Sequence, residues 1–413
     1  MTPDVVRFRQ ADVLAALHRR FGPVVRLGPY TYLLGPEANR FVFANAQLFR
    51  VEEAFQALVP VDGPTSLIVS DGEDHRRRRR LVQPALHHRQ IAGYVKVMAD
   101  NADATIDAWR PGQVVDVYQE FRAAIRRSTI QSLFGRRLAG DAEFFGTELQ
   151  ALLDLIDRNP PVVAWLRRLR TPTWRRAMAA RARVDARIYA EIARVRAGEG
   201  DADDNVLSTL VHGRDEDGCA LSDLEIRDQA VTLIAAGYET TSAAMAWAVF
   251  SLLRHRTVWD RAKAEVDAAG EDLKRLPYLT SVVNETLRLY PPAVVSARTA
   301  AQDFEFAGRR IKQGTFLLYS PYVTHRLPDV WPDPLRFDPD RWSRKPAPHE
   351  FLPFGGGPHR CVGATLATTE LTVMLARLLA RAELKLVPQR VTPTSVAAMR
   401  PKYGVLAEVT RSA

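Results

Sequence analysis

Between Ser222 and Arg254 nothing in the sequence stops a helix. Ser222 followed by Glu225 reads as a capping box, and an apolar run follows it. At 1.5 Å per residue the segment is roughly 50 Å long. A helix of that length, apolar on all sides, either runs through the middle of a core or crosses a membrane. Glu239, Thr240, Thr241 and Ser242 stand at its centre. A carboxylate at mid-bilayer costs about 3 kcal/mol, and the chain offers no second span. The expectation is a central, buried helix. At 413 residues, with 46% hydrophobic and 25% charged side chains, the chain can bury a large core around it.

The rest of the chain supplies shorter elements. Residues 11–20 read as an amphipathic helix, 24–34 as two strands around Gly28-Pro29, and 36–44 as the next helix. Residues 60–70 form a loop that is apolar for a loop, with Leu67, Ile68 and Val69 in succession. Residues 91–157 are mostly helical, and 197–205 (AGEGDADDN) read as an exposed acidic turn. The segment PYLTSVVNETLRLYPP (277–292) is an amphipathic helix, and 303–318 read as strands joined by turns. There is no internal repeat and no low-complexity linker, so the expected organisation is one domain over 1–413.

The formal net charge is +9 and nearly all of the positive charge is arginine. Such a balance suits nucleic acid, an acidic membrane surface or an acidic protein partner. Five consecutive arginines, Arg76–Arg80, tempt a nucleic-acid reading, but on a helix five successive residues point to all sides and form no stripe. Residues 158–178 (RNPPVVAWLRRLRTPTWRRAM) mix Trp165, Leu166 and Trp174 with six arginines, a composition suited to a membrane interface. The first residues, MTPDVVRFRQADVL, lack the apolar core of a signal peptide or anchor. The expectation is a soluble, cytoplasmic protein of prokaryotic type without a membrane anchor.

Two cysteines are present, Cys219 and Cys361, with no Cys-x-x-Cys pair, which argues against a zinc finger or an iron–sulfur cluster. Cys361 ends a Gly-rich loop, FLPFGGGPHRCVG (351–363), and helix-forming sequence starts at Ala364. A thiolate there is stabilised by the unpaired N–H groups and dipole of the following helix. The loop suits an axial thiolate on haem iron. A glycine turn holding a buried cysteine stays open as a reading. A phosphate loop does not fit, because the Gly-Lys-Ser/Thr ending is absent.

Phe354, Gly357, Cys361 and Gly363 match Phe-x-x-Gly-x-x-x-Cys-x-Gly, and here the chain resembles the cytochrome P450 family of haem-thiolate monooxygenases. The resemblance runs from about residue 20 to the end. It implies a mainly α fold with small β-sheets, with haem b between the long central helix and the cysteine loop. Cys361 would ligate the iron, Phe354 would limit access to the sulfur, and Gly357 and Gly363 would let the porphyrin approach. His75, Arg79, Arg298 and His359 would hold the haem propionates. On the central helix, Ala236-Gly237-Tyr238-Glu239-Thr240 matches the family's Ala/Gly-Gly-x-Asp/Glu-Thr pattern, with Ala236 and Gly237 against the porphyrin. A mid-helix glycine costs about 1 kcal/mol and is tolerated where something must lie close. Thr240 would hydrogen-bond the reacting dioxygen and Glu239 would relay protons through water.

Glu285 and Arg288 match the family's Glu-x-x-Arg, a buried pair joined by a later arginine, here Arg341. The usual Pro-Glu-Arg-Phe around that arginine is Pro339-Asp340-Arg341-Trp342 here, a departure that touches the loop's packing. The substrate pocket would be lined by Leu67, Ile68, Val69, Val294, Val295, Val396 and Ala397, and its substrate would be a lipophilic small molecule of unspecified class. The implied reaction inserts one atom of O2 using electrons from separate partners, a ferredoxin or flavodoxin and an NAD(P)H reductase. Some of Arg76–Arg80 would form their acidic partner's docking surface. A monomer that binds no nucleic acid is expected. An H2O2-driven peroxygenase, a haem-binding sensor without turnover and a basic nucleic-acid binder remain as alternatives.

Overall fold

The capped apolar run forms one helix, Asp223–Arg254. Its capping box is made in both directions: Ser222 N donates to Glu225 Oε2 at 2.9 Å, and Glu225 N donates to Ser222 Oγ at 3.3 Å. Burial extends around most of its circumference in place of the usual single apolar stripe. Among the described residues no helix is long and apolar enough to cross a membrane. The computed structural model describes residues 5–158, 160–199, 205–270, 272, 275–395 and 398–412. Residues 200–204 of the expected acidic turn, and the expected pocket residues Val396 and Ala397, lie outside this set.

The fold is mainly helical with small sheets, and the chain resolves into two compact units. The first holds the described parts of Met1–Arg50, Met98–Arg122 and Thr240–Ala413. Its five-stranded sheet runs in the order Val24–Leu27, Tyr30–Leu33, Phe316–Tyr319, Ser296–Ala300, Phe49–Arg50. Only the pairing of Tyr30–Leu33 with Phe316–Tyr319 is parallel. The sheet packs on the helix Pro36–Ala44 through Phe41, Phe49, Phe304 and Phe306, with Phe41 and Phe306 rings 4.6 Å apart. Elsewhere in this unit Trp247 stacks on Tyr290 at 4.4 Å and donates its indole N–H to Met399 O at 2.9 Å. This unit also holds a three-stranded sheet of Val114–Asp116, Leu406–Ser412 and Ala382–Leu386.

The second unit holds Val51–Val97 and Ala123–Glu239, within the described residues. It is helical, and its largest packed pair is Ala142–Ile156 against Pro172–Arg196. The expected loop at 60–70 is more ordered than its sequence suggests. It contains a single helical turn, Val59–Asp62, and a 3-10 turn, Leu67–Val69. Ser66 caps the latter by accepting the Ile68 N–H at 3.2 Å.

Candidate active site

The loop 351–363 is built from backbone geometry. Gly355 and Gly357 have φ of +64° and +65°, which disfavours any side chain. Gly356 lies on Phe43, whose ring atom would come within 2.6 Å of an added Cβ. That packing makes Gly356 as constrained as the motif glycine Gly357. The loop is closed by Cys361 N donating to Phe354 O at 2.9 Å. Cys361 is exposed, two residues before Gly363, the N-cap of the helix Ala364–Arg381. Gly363 itself has φ of −88° and only ordinary contact with Cys361 Sγ. His359 stands half-buried in the short turn Gly357–His359.

Two rings join Arg298 to this loop. Arg298 is buried in the strand Ser296–Ala300, with its guanidinium 5.4 Å from the Tyr319 ring centroid. Tyr319 meets Phe43 edge-on at 5.3 Å, and Phe43 carries Gly356. Arg298 also donates Nη1–H to Ala297 O at 2.6 Å, which fixes one end of its fork.

Glu285, Arg288 and Arg341 come together as the resemblance implies. Arg288 Nε and Nη2 donate to Glu285 Oε2 and Oε1 at 2.8 and 2.9 Å. Arg341 Nε donates to Oε1 at 3.0 Å. Glu285 and Arg288 have no exposed side-chain surface. The departures from the family wording are accommodated: Trp342 Nε1 donates to Glu285 Oε2 at 3.1 Å, and Asp340 accepts from Arg261 at 2.8 Å. Arg288 Nη1 donates further to the carbonyls of His325 and Pro334 at 2.7 and 2.8 Å.

His325 was not singled out by any sequence signal. Leu352 N donates to its Nε2 at 2.8 Å, which leaves Nδ1 to carry the proton toward Arg288 O at 3.1 Å. Burial, then the Arg288 and Arg326 guanidiniums, push its pKa well below the usual imidazole value. A neutral His325 therefore joins the Glu285 network to the start of the cysteine loop.

On the central helix, every residue from Ile226 to Leu252 is buried except Leu233, Ala236, Gly237 and Thr240. These four fall at i, i+3, i+4 and i+7, so they form one face. Glu239 is buried beside it. The Gly237 position is tight, since an added Cβ would stand 3.1 Å from the Thr129 methyl. Beyond Leu233, at Ala236, Gly237 and Thr240, the face presents only small side chains, which suits close approach of a flat partner.

In the second unit His75 is buried and Arg79 half-buried on the helix Gly72–Val82. The neighbouring arginines divide: Arg77 and Arg78 are taken up by internal carboxylates, while Arg76 and Arg80 stay exposed. Arg77 donates to Asp215 at 2.6 Å and to Glu225 at 2.9 Å, and Arg78 donates to Glu225 at 3.1 Å and Ser70 at 3.2 Å. Burial works against the Glu225 charge, but the Ser222 N–H and these arginines hold its pKa below the usual glutamate value. Arg76 and Arg80 are exposed but both reach Glu73, and Arg80 reaches Glu216 as well. Arg77 and Arg78 are internal wiring, because each meets a carboxylate that lies far away in sequence.

The segment carrying Leu67, Ile68 and Val69 is tied to the central helix by bonds the sequence did not announce. Thr65 N and Oγ1 donate to Asp228 Oδ2 at 2.9 and 2.7 Å. Leu67 N donates to Gln229 Oε1 at 3.0 Å, and Gln229 Nε2 returns to Thr65 O at 2.7 Å. Leu67 and Val69 are buried, and Ile68 is half-buried. In the first unit Val294 is buried while Val295 is 39% exposed, so this neighbouring pair does not share a face.

The cytochrome P450 family model matches residues 6–407, and the chain belongs to that family. It is a cytochrome P450 monooxygenase, a class that works with haem iron, O2 and redox partners. It is 52% identical to cytochrome P450 139 of Mycobacterium tuberculosis (strain ATCC 25618 / H37Rv), with 99% of each chain covered. It is 36% identical to cyclooctat-9-en-7-ol 5-monooxygenase of Streptomyces melanosporofaciens over 88% of this chain and 82% of that protein. Among solved structures it resembles retinoic acid bound cyanobacterial CYP120A1 at a TM-score of 0.85 and 26% identity, covering 95% and 93% of the two chains.

The residues present fit an iron porphyrin. Cys361 is an exposed soft donor of the kind that would hold the iron, and Arg298 is a buried cation linked to its loop through Tyr319 and Phe43. The helix face at Ala236 and Gly237 has no side chain large enough to bar a macrocycle.

Proposed function

We propose that this protein is a haem b monooxygenase that oxidises a lipophilic small molecule, acting through the whole chain as one catalytic unit in the cytoplasm. The reading rests on one observation above the others: an exposed cysteine held at a helix mouth by the Cys361–Phe354 backbone bond. Cys361 would ligate the iron, and His75, Arg79, Arg298 and His359 would neutralise the propionates. When bound, the haem supplies the activation of O2 and the transfer of one oxygen atom to the substrate, with electron push from the thiolate favouring O–O cleavage.

The chain's own residues would do the following. Thr240 stands on the accessible helix face and offers its hydroxyl as a hydrogen-bond donor and acceptor. Glu239, buried next to it, would pass protons inward through water. Leu67, Ile68, Val69, Val294 and Val295 would give the substrate an apolar surface. Electrons would come from a ferredoxin or flavodoxin with its NAD(P)H reductase. Two similar proteins are named for cyclooctat-9-en-7-ol and for bound retinoic acid, both lipophilic, which favours a terpenoid-like substrate here.

A visible-absorption titration of the ferric protein with terpenoids, fatty acids and sterols tests this. A blue-shifted Soret band with a terpenoid, followed by incorporation of one labelled atom from O2 in a reconstituted NAD(P)H-driven system, is expected. Turnover with H2O2 that outpaces that system would make the protein a peroxygenase instead. Thr240→Ala should bind substrate normally and divert most reducing equivalents into peroxide. Full coupling of electrons to product in that variant would remove Thr240 from the mechanism.

A further inference from the structure

Met399 is held by both of its backbone groups, and neither bond is made within its own hairpin. It precedes Arg400–Pro401, which pairs with Pro393–Thr394 in a sheet of two strands of two residues each. So short a ladder is marginal by itself and takes its position from what it is tied to. Met399 N donates to Pro292 O at 2.8 Å, and Met399 O accepts the Trp247 indole N–H at 2.9 Å. Pro292 stands two residues before Val294, whose carbonyl accepts from Ser320 Oγ at 2.7 Å. Met399 therefore joins the central helix to the segment that carries Val294.

The donor side of this junction is rigid. Trp247 is fully buried, seven residues after Thr240 and so on the same side of the central helix. Its indole lies on the Tyr290 ring, with centroids 4.4 Å apart and planes 7° apart, and Phe250 meets it edge-on at 5.8 Å. A near-parallel stack fixes the plane of the indole, and with it the direction of the N–H. Tyr290 is held in its turn: its hydroxyl accepts the Val6 N–H at 3.1 Å, and its own N–H donates to Thr286 O at 2.7 Å. A buried indole N–H needs an acceptor, and any nearby carbonyl would serve. This one is spent 152 residues away, on a short hairpin that also bonds the Val294 segment.

We propose, on the reading that Val294 faces the substrate, that Trp247 is a positioning residue for the substrate pocket. Its indole N–H fixes the Met399 backbone and, through Pro292, the wall that carries Val294. A wall held in place before binding spares a bulky ligand the cost of ordering it, while a small ligand that stays at the iron makes no use of it. Tyr290 supports the same function by holding the indole in plane.

The test is a spectral titration of the haem-loaded full-length protein with imidazole and with 4-phenylimidazole. Both ligate haem iron through nitrogen and move the Soret band to the red, so the ratio of their Kd values separates the wall from the iron. Trp247→Phe keeps a ring against Tyr290 and removes the N–H. It should weaken 4-phenylimidazole about threefold to tenfold and leave imidazole unchanged. Tyr290→Leu, which keeps the N–H but frees the indole plane, should move the ratio the same way. Tyr290→Phe, which restores the stack, should return it toward the wild-type value. A Trp247→Phe protein with a lower thermal midpoint and an unchanged ratio would overturn the proposal and leave Trp247 a purely structural role. Equal weakening of both ligands would overturn it as well. A wild-type protein that gives no red shift with imidazole would instead remove the haem-pocket reading beneath the proposal, a failure the ratio cannot mimic.

Discussion

The network around Glu285 and the network around Asp228 are both buried and both hold two guanidiniums, but they differ in the number of carboxyls. Glu285 alone faces Arg288 and Arg341, with the Trp342 indole and the Asp338 N–H also donating to it. Asp228 shares Arg227 with Asp185, and Asp62 is buried in the same cluster beside Thr232, Arg227 and Arg181. The first network has donors to spare. The second has one acid too many, and the excess is settled by a proton: burial, against the pull of Thr232 and Arg227, raises Asp62 from 3.8 to about 7. Both networks place a loop that matters, the cysteine loop through His325 and Leu352 in one case, the 65–69 segment in the other. One is a fixed clamp, and the other has a strength that depends on pH.

Breaking the clamp should have the largest effect. Glu285→Ala leaves Arg288 buried without its carboxylate and should cost about 3–5 kcal/mol, read as a lower urea midpoint and loss of haem on gel filtration. If the variant unfolds at the wild-type midpoint, the network is not what holds the loop.

The second network is separated from the first by its response to pH. Asp62 holds its proton more tightly in the folded chain than in the unfolded one. Wild-type stability should therefore fall as pH rises from about 3.8 toward about 7 and stay flat above that on this account. The loss amounts to about 4 kcal/mol at most, three units at 1.36 kcal/mol each. Asp62→Asn should flatten that slope and make the protein more stable than wild type above neutral pH. Urea unfolding of both proteins on either side of neutrality would check it. Parallel pH profiles would contradict the account.

Smaller effects sharpen the contrast. Trp342→Phe keeps the ring and removes one donor from Glu285, and should cost about 1–3 kcal/mol, because that carboxylate is fully buried. Arg76→Ala breaks an exposed pair with Glu73 and should leave the midpoint unchanged within error.

The same contrast explains what the sequence made legible. Glu285 and Arg288 lie three residues apart on one helix, and Ser222 and Glu225 form their cap over the same short distance, so local spacing announces both. The length and apolarity of the central helix likewise follow from one uninterrupted run. Asp228 meets Thr65 across 163 residues and Arg227 meets Asp185 across 42, and no local pattern reports such pairings. His325 escaped notice for the same reason, since its partners Arg288 and Leu352 lie 37 and 27 residues away. Gly356 was hidden by the motif around it: spacing singles out Gly357, while the close approach of Phe43 is a tertiary fact. The arginine run does not announce its internal pairs either, because Asp215 and Glu225, which absorb Arg77 and Arg78, are more than a hundred residues downstream.

The proposed role of Cys361 as the thiolate ligand of the haem is open to a spectroscopic test. The most direct measurement is the difference spectrum of the reduced protein with carbon monoxide, for wild type and for Cys361→His. Wild type should show the red-shifted Soret band of a thiolate-ligated haem, and the variant should lose that band while still binding haem. A wild-type spectrum without the thiolate band, or a variant that keeps it, would contradict the account.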